Sequence, residues 1–120
     1  MKITELILIS LWLLLLVSGQ IFFKYTSRQI DTENFQKLLN TLLFSSTFWL
    51  AITLYAIATV LWIVILKSIP LSKALPFSAM SFIIVPLISS HVFGEDFVWY
   101  YWLGVLLILV GMGVTTNAVR

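Results

Sequence analysis

The sequence predicts an all-α membrane protein: four transmembrane helices, with a short interfacial helix between the first and the second. Three observations predict it. Of 120 residues, 61% are hydrophobic and 10% charged, against about 45–50% and about 25% in soluble domains. Four charge-free stretches, residues 6–23, 38–66, 74–94 and 97–119, hold 18, 29, 21 and 23 residues, and about 20 apolar residues cross a hydrocarbon core of about 30 Å. None alternates as a barrel strand does, so the backbone polar groups must be satisfied within helices. Residues 1–120 are therefore expected to form one four-helix transmembrane domain with no room for a soluble one.

The first span covers about 5–25. Lys2 before an apolar run and the small pair Ser18-Gly19 also fit a signal peptide, but Glu5 interrupts the basic region and the run is long for that purpose. Asp31 and Thr32 then offer an N-cap for a helix over about 32–44. Phe35, Leu38, Leu39, Leu42 and Leu43 make one apolar stripe there, with Glu33, Asn34, Gln36, Lys37 and Asn40 off it, the pattern of a helix lying in the interface.

The second span covers about 47–67 and ends in a tight turn at Ser68-Ile69-Pro70. The third, about 71–91, contains Pro76 and Pro86, which should bend or locally unwind it. Gly94-Glu95-Asp96 forms the last turn. The fourth span, about 98–118, enters through Trp99, Tyr100, Tyr101 and Trp102, an aromatic belt.

Four spans place both termini on one side, with Lys2, Lys67, Lys73 and Arg120. The other side holds Arg28, Lys37, the borderline Lys24 and four of the five acids. The positive-inside rule makes the termini cytoplasmic, but so small a margin leaves dual insertion open.

Several function classes fall away. There is no cysteine, and His91 alone cannot build a metal cluster. The seven Lys and Arg are scattered over span ends, unlike a nucleic-acid reader. Nucleophile elbow, phosphate-cradling glycine loop and HExxH are all missing. No enzyme activity and no cofactor are expected.

The most informative motif is Gly19-Gln20-Ile21-Phe22-Phe23-Lys24, where a carboxamide and an ammonium share one face of a membrane helix. Lys24 lies 18 residues beyond Leu6, about 27 Å along the helix and close to the far interface. Two readings stand: a snorkelling anchor, or a site for something anionic.

With Ile69-Pro70-Leu71-Ser72-Lys73-Ala74 opening span three, Phe93-Gly94-Glu95 before span four, and Gly104 and Gly111 within it, the chain resembles the drug/metabolite transporter superfamily in its four-helix small multidrug resistance branch. Within that branch, Gly19-Gln20 with Lys24 and the segment 61–70 look most like the paired subunits proposed to flip aminoarabinose linked to undecaprenyl phosphate. The likeness covers nearly the whole chain. It implies a dimer, of two copies or with a sister subunit, in the bacterial inner membrane. Two departures separate the branches: multidrug exporters carry a membrane-embedded glutamate where this chain has Leu16, and an aromatic pair where it has Leu75 and Ser78. Without the carboxylate a cation-for-proton antiporter lacks its coupling group.

The expected function is movement of a polyprenyl-phosphate-linked sugar, or a related anionic lipid, between leaflets. Gln20 and Lys24 would hold its phosphate. Ser78, Ser81 and Ser89, near one stripe with Ala74 and Val85, are either helix-packing residues or a polar groove wall. Tyr55, Thr59 and Trp62 share a face and either pack or stack on a sugar ring. Glu95 is either a wetted loop charge or a partner for an amino-sugar cation, for Lys24 or for Arg28, and His91 is a candidate proton shuttle. Gly104 and Gly111, two turns apart, allow close helix approach, which the resemblance implies is the dimer contact. An exporter of organic cations and a non-transporting accessory of a membrane glycosyltransferase are the rival readings.

Overall fold

The computed structural model describes residues 2–119; Arg120, counted above with the basic residues of the terminal face, lies outside them. Four helical stretches are long and apolar enough to cross a membrane, giving a multi-pass membrane protein. Helix α1 runs Ile3–Ser27, α2 Phe35–Leu43, α3 Ser46–Ser68, α4 Leu71–Ala74, α5 Ser81–Val92 and α6 Trp99–Ala118, with a 3-10 segment at Leu75–Met80 joining α4 to α5. The short helix expected between the first and second spans is present as α2.

The start of α2 differs from the sequence expectation. Asp31 and Thr32 do not cap it. Asn34 does, its side-chain oxygen accepting from the Lys37 backbone N–H at 2.8 Å. The Asp31 carboxylate instead accepts from the Glu33 N–H at 2.9 Å, closing an Asx-type turn that keeps residues 31–33 out of the helix. No residue of α2 is buried, and its stripe points outward, with Phe35 73% and Leu43 54% exposed. The chain's own core leaves that face uncovered, as an interfacial helix requires.

The two prolines of the third span act differently. Around Pro76 the backbone tightens to 3-10 geometry, the usual local solution where the i→i−4 ladder is interrupted. Pro86 is buried inside an otherwise continuous α5. Ser81 Oγ donates to the Ser78 carbonyl at 2.7 Å and Ser89 Oγ to the Pro86 carbonyl at 3.2 Å. These serines use their hydroxyl protons on their own helix, keeping lone pairs as acceptors. Gly94, at φ +67°, then turns the chain out of α5, in the left-handed conformation that glycine tolerates best.

The core is a seam between α1 and α3. Ala51, Ala58 and Ile65, spaced by seven, are 0–1% exposed, and opposite them α1 buries Trp12, Gly19 and Thr26 at the same spacing. Trp12 and Trp62 stack with ring centroids 4.3 Å apart. At the start of α3, Thr26 and Thr47 hydroxyls meet at 2.8 Å, Ser45 joins Thr47 at 2.9 Å, and both Ser45 and Thr47 reach the Gln29 carboxamide oxygen. This knot satisfies polar groups that would otherwise be stranded between helices. By contrast α6 packs on the 3-10 segment and α4, and Val105 is its one buried residue.

Candidate functional site

Gly19 sets the geometry of the site. A Cβ there would overlap the Tyr55 ring, so its absence lets one edge of the ring come against α1. Tyr55 Oη is thereby brought to Gln20, whose Nε2 donates to it. Phe23 flanks the same ring at 5.0 Å between centroids. Gln20 is thus oriented from behind while its surface stays exposed.

Beside Gln20 a cavity of about 290 Å³ opens between α1 and the third span, lined by Leu13, Leu16, Val17, Gln20, Ser78, Ser81, Phe82, Val85, Pro86 and Tyr101. A second, of about 200 Å³, is lined by Gln20, Ile21, Lys24, Val85, Ser89, Phe93 and Glu95. The two share Gln20 and Val85. Together they form one groove, apolar with scattered hydroxyls at depth and charged at its mouth.

The structure therefore brings five of the seven predicted binding residues to the groove: Gln20, Lys24, Ser78, Ser81 and Glu95. Tyr55 touches it through Gln20. Trp62 does not line it, since its ring is taken up by Trp12. Thr59 donates to the Tyr55 carbonyl at 2.8 Å, and His91 Nδ1 bonds the Leu87 carbonyl at 2.9 Å. Leu16, where the resemblance matches the exporters' glutamate, faces the deep cavity, whose lining holds no carboxylate.

The mouth is built by loops that meet. Arg28 lies over the Phe93 ring at 4.7 Å and Nη2 donates to the Phe93 carbonyl at 3.4 Å; Tyr25 meets the same ring edge-on at 4.9 Å. This clamp holds the end of α5 against the end of α1, so the loops after both helices share one side. Lys24 and Glu95 face one groove without pairing, since both ion pairs among the described residues belong to Lys37. An unpaired ammonium and carboxylate beside the end of a helix long enough to cross a membrane suit a ligand carrying both charges. Among the described residues no His, Cys, Asp and Glu group could hold a metal.

Sequence reasoning missed the Arg28–Phe93 clamp and Tyr101 in the lining. The clamp had a faint signal in Phe93 beside Gly94, a bulky residue at a helix end. Gly104 and Gly111 lie outside the groove, and beyond the adjoining backbone of α6 itself a side chain at either would meet nothing within 4 Å.

Comparison with known proteins finds relatives along most of the chain. The chain is 34% identical over 107 residues to a protein of Pseudomonas savastanoi pv. phaseolicola, covering 84% of this chain and 92% of the relative. It is 31% identical over 110 residues to one of Pseudomonas fluorescens, covering 88% and 95%, and 30% identical over 107 residues to one of Salmonella typhi, covering 88% and 90%. Each relative is named a probable 4-amino-4-deoxy-L-arabinose-phosphoundecaprenol flippase subunit ArnE. No family model matches the chain, and no solved structure matches it significantly. With relatives of this identity along most of its length, and four spans in the expected order, the chain belongs to the ArnE family of flippase subunits.

Proposed function

We propose that this chain is a transporter subunit that moves an aminoarabinose-bearing undecaprenyl phosphate, or a close chemical relative, between leaflets of the bacterial inner membrane. The carrying observation is the mouth of the groove, where Lys24, Gln20, Ser89 and Glu95 converge on about 200 Å³. The sugar phosphate binds there, with its phosphate on the Lys24 ammonium and the Gln20 carboxamide. The sugar amine meets Glu95. The headgroup then passes the deep cavity while the polyprenyl tail stays in lipid, and no covalent step is needed.

Two features support an anionic lipid over an organic cation. Leu16 occupies the deep cavity where proton-coupled export of a cation needs an acid. The one cationic group of the groove also sits at headgroup depth, where a phosphate travels. Four helices enclose only one side of such a path, so the working unit is a dimer with an identical or sister chain, closed along Gly104 and Gly111, with cytoplasmic termini.

The test is transfer of the labelled lipid between leaflets of proteoliposomes, with the chain reconstituted alone and with a sister subunit. Losing a charge-assisted contact worth about 1.5–3 kcal/mol lowers transfer by Lys24→Ala roughly 10- to 100-fold. Full transport by a normally inserted Lys24→Ala protein overturns the reading. Stable co-purification with a glycosyltransferase, and no transfer in either reconstitution, would favour an accessory role instead.

A further inference from the structure

Helix α1 carries an ammonium at each end. Lys2 and Lys24 are 22 residues apart, about 33 Å of helix against a hydrocarbon core of about 30 Å. The groove mouth occupies the Lys24 end. At the Lys2 end lies a larger pocket, about 440 Å³, lined by Lys2, Glu5, Ser68, Ile69, Pro70 and Lys73. The start of α1, the end of α3 and α4 build it.

Its chemistry repeats that of the mouth. Lys73 and Glu5 are half-buried, and neither Lys2 nor Lys73 forms an ion pair with Glu5, because both ion pairs among the described residues lie at Lys37 on the opposite face. The Glu5 carboxylate is pinned at the rim, accepting from the Lys2 backbone N–H at 3.1 Å, which leaves acceptor capacity for a second donor. Ser68 Oγ donates to the Ile65 carbonyl at 3.4 Å, so its lone pairs remain available. Each end of α1 thus offers lysine ammonium, one carboxylate and one serine oxygen around a cavity.

We propose that the Lys2–Lys73 pocket is a second headgroup station on the opposite membrane surface, taking the lipid phosphate between its two ammoniums and the sugar amine against Glu5 and Ser68. The inference rests on the proposed function and extends it. A headgroup crossing the bilayer leaves water at one surface and regains it at the other, and matched charges at both surfaces stabilise it at each exchange. Two lysines on separate elements also suit a phosphate better than a neutral sugar.

The experiment is amine footprinting of the full chain in phosphatidylcholine nanodiscs, using a water-soluble imidoester and mass spectrometry at Lys24, Lys67 and Lys73. At undecaprenyl phosphate tenfold above half-saturation, Lys73 labelling slows about tenfold and Lys67 labelling does not change. Equal slowing at Lys67 overturns the proposal, because diffuse surface attraction would then explain it. Equal protection by inorganic phosphate overturns the lipid assignment in favour of a free-anion site. Protection at Lys24 without Lys73 sinks the second station alone; protection at Lys73 without Lys24 sinks the groove reading and keeps the station. The aminoarabinose-bearing lipid should protect Lys73 at lower concentration than undecaprenyl phosphate, and Glu5→Gln should erase that difference. Identical concentrations for the two lipids on the unmodified chain overturn the role of Glu5.

Discussion

The α1–α3 seam and helix α6 use glycine in opposite ways. At the seam, Gly19 is buried and the Tyr55 ring fills the space its missing side chain leaves. On α6, nothing beyond the helix's own adjoining backbone approaches within 4 Å of a Cβ at Gly104, Gly111 or Gly113, and residues such as Trp99, Leu107 and Val114 are 64–74% exposed. Helices in lipid gain little from hiding apolar surface, since the tails are equally apolar, and are held by close packing and interhelical hydrogen bonds. The seam has both within one chain. Helix α6 has neither along its outer face, which leaves that face open to lipid or to the proposed partner subunit.

Removing the largest seam contact should separate the two regions most sharply. Trp62→Ala deletes the stack on Trp12 and leaves a cavity beside the core cluster against which Trp62 packs, at a cost of about 3–5 kcal/mol. Steric-trap unfolding in bicelles would measure it. Trp99→Ala, on the exposed start of α6, should change the same quantity by less than about 0.5 kcal/mol. Equal losses would mean that α6 is held as firmly as the seam.

Next in size is Gly19→Ala. The added methyl collides with the Tyr55 ring, and overpacking of this kind costs about 1–3 kcal/mol. It also displaces Tyr55 Oη from Gln20, so transport should fall more than stability alone explains. Gly19→Ala combined with Tyr55→Leu, which removes the ring, should recover stability but not transport. That split would mark Gly19 and Tyr55 as positioning residues for Gln20.

A smaller effect is expected at the polar knot above the seam. Thr26→Val removes a hydroxyl that bonds Thr47 at 2.8 Å and the Phe22 carbonyl at 2.9 Å. A loss of about 1 kcal/mol follows from hydrogen-bond energetics, with faster amide exchange at the end of α1 as the local readout.

The contrast between these regions also explains what the sequence disclosed. Span number, order and the short helix between the first two spans were legible because charge-free length, and a stripe of one phenylalanine and four leucines at helical spacing, need no knowledge of tertiary contacts. The convergence of Gln20 and Lys24 on one groove followed from their spacing by one turn. Trp62 was not legible as a core residue: Tyr55, Thr59 and Trp62 share a face, but only the position of Trp12 on another helix decides which of them faces the seam. The cap of α2 was misassigned to Asp31 and Thr32 because an Asx turn and an N-cap have the same residue signature. Pro76 and Pro86 look alike in sequence, yet one unwinds the helix and the other is absorbed. The seam was not read from the sequence, although Trp12, Gly19 and Thr26 recur every seven residues as Gly104 and Gly111 do, because spacing alone does not say which helix lies opposite.

The smallest effect on the chain itself is expected from Gly104→Ala and Gly111→Ala. Apart from its chain neighbours and the adjoining backbone of α6, neither Cβ meets an atom of this chain, and alanine is the better helix former by about 1 kcal/mol where nothing else opposes it. Monomer stability should therefore hold or rise slightly. If α6 closes the proposed dimer through these glycines, the same methyls separate two backbones that must touch, and association should weaken by at least about tenfold, or about 1.4 kcal/mol. Förster transfer between labelled chains diluted in liposomes measures that association directly. A monomer left intact with association lost would make the two glycines of α6 the counterpart of Gly19, with the filling side chain supplied by another subunit. Association unchanged by both methyls would move the interface off this face of α6, and leave the comparison with the seam as one between a packed helix and a lipid-facing one.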